Sequence, residues 1–158
     1  MIRLPSALAE PRRPLRAIFV AWLLCALGSL ALSATSHFLF PQLATPQFPQ
    51  VSAGLLLFML VVFAPLIETL IMAAVLELML RLKVPPIAAI GLSAIGWGIA
   101  HSLQAPAWGL VIWWPFLIFS TIYVTWSRRS AWAGVGIAFA VHALQNLGPA
   151  LLLVNQGR

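Results

Sequence analysis

Residues 63–72 read FAPLIETLIM, and they set a carboxylate, Glu68, inside an otherwise apolar run. The chain has only three acidic residues. Two of them, Glu68 and Glu77, fall in the single run 51–80. A carboxylate at the centre of a bilayer costs roughly 2.5–3.5 kcal/mol on insertion scales, so an intramembrane Glu is a candidate functional group from the outset. Pro65 stands three residues before it, where its missing N–H frees the carbonyl of Val61 and kinks the helix. Freed backbone in a membrane helix is tolerated where it is buried in protein or lines a wet cavity.

The composition around this stretch excludes a soluble domain. Of 158 residues, 62% are hydrophobic and 8% charged, with a mean hydropathy of +1.00, whereas soluble domains carry about 25% charged residues. The net charge of +6 would suggest nucleic acid in a soluble protein. Here the basic residues lie between apolar runs, as they do in cytoplasmic loops, and nucleic acid is not an expected partner. The single cysteine, Cys25, reads as a small hydrophobe within a helix.

Outward from the opening stretch, the chain divides into five apolar runs, predicting an all-α, polytopic membrane bundle of about five transmembrane helices. Residues 1–16 form a basic, proline-containing tail with Arg3, Arg12, Arg13 and Arg16, and residues 17–155 a single membrane domain. The first run, 17–36, is long enough to span and reads as an uncleaved signal anchor. His37 ends it at headgroup level. Residues 38–50 hold three prolines and no charge, which makes a loop. Run 51–80 is about 45 Å long if wholly helical, longer than the hydrocarbon core. Three runs follow, at about 86–104, 108–126 and 131–154, with Pro85-Pro86 suited to a helix start. Arg81 with Lys83, and Arg128 with Arg129, mark alternate loops, so the N-terminus is cytoplasmic and the protein an integral, multi-pass one. The expected compartment is an inner (plasma) membrane of bacterial or archaeal type.

That topology assigns depths. Glu68 lies roughly 20 Å from the cytoplasmic end of its helix, His101 roughly 22 Å and His142 roughly 18 Å from theirs, at 1.5 Å per residue. The three share a level. Gly134, Ala138, His142 and Asn146 follow i, i+4 spacing on the last helix, and Ala94, Gly98 and His101 share a side of the third. Small residues let helices approach and bring polar groups together. A Glu, two His and an Asn in a dry interior suit hydrolysis: the Glu with one His holds and deprotonates a water, and neutral His with Asn donates to an oxyanion. Glue between helices is the bland alternative for any one of them alone. Glu77 is placed differently, four residues before Arg81, as an i, i+4 ion pair. Trp97, Trp113, Trp114 and Trp126 read as packing or belt residues.

APLIET, WGIAH and HALQN, in that order, resemble the three motifs of the CPBP intramembrane proteases, the CAAX prenyl endopeptidase and bacteriocin-processing (Abi) family. The resemblance covers about residues 50–155. It implies a glutamate-type endopeptidase in which Glu68 and His101 activate water while His142 and Asn146 stabilise the oxyanion. Trp97 matches the aromatic of the second motif, and Thr69 takes the place of the second Glu as a supporting residue. The implied substrate is a membrane-anchored, lipidated or sorting-tail-bearing protein, cleaved within or beside the bilayer. No cofactor is expected; two His and one Glu can in principle ligate zinc, but neither an HExxH helix nor a fourth strong ligand is visible. The departures are Thr69 and Ala73, where the family keeps a Glu and an Arg. Their joint loss removes a buried charge pair without stranding either member. Two other classes remain: a catalytically silent scaffold or immunity-type protein, and a small transporter or metal-binding membrane protein.

Overall fold

The computed structural model describes residue 8 and residues 10–155, and among these it is all-helical, with no strand. Five long helices run α1 Pro14–Leu39, α2 Ala53–Arg81, α3 Pro86–Ser102, α4 Pro106–Trp126 and α5 Ala131–Asn155. All except α3 are long and apolar enough to cross a membrane; α3 has 17 residues, about 25 Å at helical rise. The molecule is thus a helical membrane bundle, as its five apolar runs predict. Of the N-terminal tail, Arg3 lies outside the described residues, and residues 14–16 already belong to α1.

Local chemistry sets the helix ends. Pro14, Pro86 and Pro106 each open a helix, where a missing N–H leaves no bond unmade. Ser52 caps α2 by accepting from the Leu55 N–H at 3.4 Å. The C-terminus of α2 closes with Lys83 at φ 62°. There the Val84 N–H bonds the Met79 carbonyl and the Lys83 N–H that of Leu80, both at 3.0 Å, the crossed pair of a Schellman turn.

The hub is α4. Over half of its apolar window is buried, far more than in any other spanning helix, and it packs against each of the other four. Against it α1 lays a stripe of small residues, Ala17, Ala21 and Cys25, all buried. Trp114 of α4 then lies over Gly28, where no Cβ fits, and donates to the Leu24 carbonyl at 2.9 Å. Trp114 is therefore an interhelical tie, and Trp97 and Trp126 are packing residues, stacked on Phe116 and buried respectively. The α3–α4 crossing uses Gly98 and Gly109, with a Ser120–Ser93 hydrogen bond of 2.9 Å beside it. A Cβ on Gly109 would strike Ser102 and the Gly98 carbonyl, so the backbones meet directly.

The outer surface is the inverse of a soluble protein's. Leu15, Phe19, Leu23, Leu27 and Leu30 form an exposed apolar stripe along α1, and Ile87, Leu92, Ile95 and Ile99 another along α3. Such continuous apolar faces suit acyl chains and are far beyond the patches that water-soluble monomers carry.

The middle of α2 departs from a simple proline kink. Residues Met59–Phe63 form a π-helical turn, in which the Ala64 N–H bonds the Met59 carbonyl, five residues back. In that register the acceptor facing the nitrogen of Pro65 is Leu60, so the carbonyl left without its helical donor is that of Leu60 instead of Val61.

Candidate functional site

The site lies where α2, α3 and α5 meet the aromatic side of α4. Glu68, one turn past the π-helical turn, brings Oε2 to 3.6 Å from Nε2 of His142. That separation is too long for a direct hydrogen bond, and one water oxygen can touch both atoms. The His142 side chain is 4% exposed and that of Glu68 25%, so the pair is closed on one side and open on the other. The ring of His142 stacks on Phe119, with centroids 4.4 Å apart, and meets Phe116 edge-on at 5.3 Å. These two Phe residues fix the plane of the imidazole, and Thr69 fixes its edge: its Oγ1 lies 3.4 Å from His142 Nδ1. Thr69 is fully buried and Ala73, one turn on, is 6% exposed. In place of a second Glu, α2 therefore presents a hydroxyl to the back of the same histidine.

His101 reaches the cluster from the end of α3. Its Nδ1 lies 2.9 Å from the Trp97 carbonyl oxygen. A carbonyl only accepts, so Nδ1 is the protonated nitrogen and Nε2 carries the lone pair in the neutral ring. Phe116 is common to both histidines: it lies 5.8 Å from the His101 ring and 5.3 Å from that of His142. Trp97 stacks on the same Phe116 at 4.4 Å. On its other side His101 meets Trp108 edge-on at 4.7 Å. The 40–52 loop closes over that end, with Phe48 edge-on to Trp108 at 6.0 Å and the Ala107 N–H donating to the Ala44 carbonyl.

Asn146, one turn after His142, does not point at Glu68 with its amide nitrogen. Nδ2 donates to the Leu60 carbonyl at 3.0 Å, the acceptor that Pro65 leaves open. One N–H of its amide group is thereby committed, and the other remains.

The structure thus gathers Glu68, Thr69 and His142 in direct proximity, joins His101 and Trp97 to them through Phe116, and holds Asn146 at the π-helical turn. The closest carboxylate–imidazole approach is to His142, whereas the resemblance pairs Glu68 with His101. Sequence reasoning did not single out Phe116, Phe119 or Trp108; none carries a polar signal, and only the packing shows that they hold both imidazoles. Glu77 stands apart as its spacing predicts, 3.7 Å from Arg81 Nε, and it also accepts from the Tyr123 hydroxyl at 3.4 Å. Among the described residues no group of three His, Cys, Asp or Glu side chains is placed to hold a metal ion.

Compared with protein-family models, curated proteins and solved structures, the chain matches none of them.

Proposed function

We propose that this chain is an intramembrane endopeptidase of the glutamate type, acting on a peptide bond of a membrane-anchored or sorting-tail-bearing protein. The observation that carries the reading is the apposition of Glu68 and His142, 3.6 Å apart, in an apolar interior with one open flank. A carboxylate is expensive to keep in such a place, and a base beside an imidazole, close enough for one water to reach both from the open flank, is what water activation requires.

In the proposed reaction, a water held between Glu68 and an imidazole gives a proton to the carboxylate as its oxygen attacks the scissile carbonyl carbon. The tetrahedral oxyanion is met by donors from an imidazole and from the second amide N–H of Asn146. Collapse breaks the C–N bond, and the proton held by Glu68 passes to the leaving amine, directly or through His101 Nε2. The products are a carboxylic acid and an amine. The resemblance in APLIET, WGIAH and HALQN supports the same chemistry, and the cytoplasmic N-terminus remains part of the reading.

Profiling of protein termini in membranes from cells expressing the wild type or Glu68→Gln tests this even while the substrate is unidentified. Expected are new termini within or beside transmembrane segments that vanish in the variant. Identical profiles at equal expression would overturn it.

A second reading has one observation in its favour. Thr69 and Ala73 are packed in the interior where the resembling family keeps a Glu and an Arg, which suits a catalytically silent member acting as a scaffold. On that reading Glu68→Gln leaves both termini and any partner-dependent phenotype unchanged.

A further inference from the structure

An open concavity of about 450 Å³ lies at the end of the bundle that carries both basic loops. Its wall includes Glu77, Leu80, Arg81, Val124, Ser127 and Arg128, at the closing turns of α2 and α4. We propose that this cavity binds the headgroup phosphate of an anionic glycerophospholipid from the cytoplasmic leaflet.

The charges are arranged for it. Glu77 turns Oε1 to Arg81 Nε at 3.7 Å and Oε2 to the Tyr123 hydroxyl at 3.4 Å. The carboxylate is thereby engaged on both oxygens, and the terminal nitrogens of Arg81 remain for an anion. Arg128 has no carboxylate partner among the described residues. Two guanidinium groups around one concavity match a phosphate's oxygens, and Arg binds such a group bidentately; the Ser127 hydroxyl beside them already donates to the Val124 carbonyl at 3.2 Å. Leu80 and Val124 supply an apolar wall on which the first carbons of an acyl chain can lie. The cavity sits at a membrane-facing end of the helices, the level of lipid headgroups, and basic pockets between helices on the cytoplasmic side recognise anionic headgroups. A soluble phosphate offers the same oxygens without the chain, so the two sources are distinguishable.

The test uses the full chain purified in a neutral detergent, with thermal unfolding followed as phosphatidylglycerol, phosphatidylcholine or soluble glycerol phosphate is titrated. Phosphatidylglycerol is expected to raise the unfolding temperature saturably, with the other two much weaker. Arg128→Gln should raise the half-saturating concentration about tenfold, the loss of one charge-assisted pair, while Arg128→Lys, which keeps the charge and loses the bidentate fork, should raise it by less than Arg128→Gln does. Arg16→Gln, an exposed charge outside the cavity, should change nothing. Leu80→Trp, which fills the cavity at constant charge, should abolish the response if Arg128→Gln does not fold. Equal responses to phosphatidylglycerol and phosphatidylcholine, equal stabilisation by glycerol phosphate, or equal weakening by Arg16→Gln and Arg128→Gln would each overturn the proposal. The site is independent of the hydrolytic reading, since none of these measurements involves cleavage.

Discussion

The side-chain amide of Asn146 donates to the main-chain carbonyl of Leu60 at 3.0 Å, and this one bond ties α5 to the π-helical turn of α2. The Leu60 carbonyl needs the donor because Pro65, which faces it in the π register, has no N–H to give. Water cannot substitute in a hydrocarbon environment, so an unmet carbonyl there is expensive. Asn146→Ala should therefore destabilise the protein by about 1 kcal/mol, the net worth of one hydrogen bond to a half-buried acceptor. Unfolding of the purified variant in detergent measures it. Asn146→Asp should be no better when ionised, because a carboxylate cannot donate.

The same relationship predicts a coupling. Pro65→Ala restores an N–H that can meet the Leu60 carbonyl from within α2, making the Asn146 amide redundant. A double-mutant cycle of Pro65→Ala and Asn146→Ala should give an interaction of about 0.5–1.5 kcal/mol, with the Asn146 substitution costing less in the Pro65→Ala background. Strict additivity would show that the two residues do not share this carbonyl.

Much of this arrangement is legible in the sequence because it follows from where polar atoms interrupt apolar runs. The five runs give the helices to within a few residues, and the i, i+4 spacing of Glu77 and Arg81 gives their ion pair. Counting residues from the basic loops puts Glu68, His101 and His142 at one level; the structure sets Glu68 3.6 Å from His142 and both imidazoles against Phe116. The register at Pro65 is not legible. A proline announces a freed carbonyl but not whether the turn relaxes as α or π, and that choice moves the acceptor from Val61 to Leu60. Nor does the order of motifs say which histidine Glu68 approaches. That depends on how α3 and α5 lie on α4, which is fixed by Gly98, Gly109, Gly134 and the rings of Phe116 and Phe119.

Thr69 offers a test of how His142 is oriented. Thr69→Val keeps nearly the same volume and removes the hydroxyl beside His142 Nδ1, 3.4 Å away. The expected loss is about 1 kcal/mol of stability, with cleavage reduced if the tautomer of His142 matters to the reaction. Thr69→Ser should restore both. Unfolding and terminus profiling of the two variants side by side separate a steric role from a hydrogen-bonding one, since the valine answers for shape alone.

The crossing of α3 and α4 carries the last prediction. Gly109 lies where a Cβ would run into the Ser102 side chain and the Gly98 carbonyl, and Gly98 itself leaves only 3.0 Å to the Cβ of Trp113. One of the obstacles is backbone, which cannot swing aside as a side chain does. Gly109→Ala should thus push the helices apart at a cost of about 1–3 kcal/mol, the usual range for overpacking. Because His101 sits in the last turn of α3, one residue before Ser102, the same displacement should move its imidazole away from Phe116 and lower cleavage beyond the loss of folded protein. Gly136→Ala is the matched control: nothing lies within 4 Å of a Cβ there, and it should leave both stability and cleavage intact. Equal behaviour of the two alanine variants would mean that the close approach of α3 to α4 does not position His101.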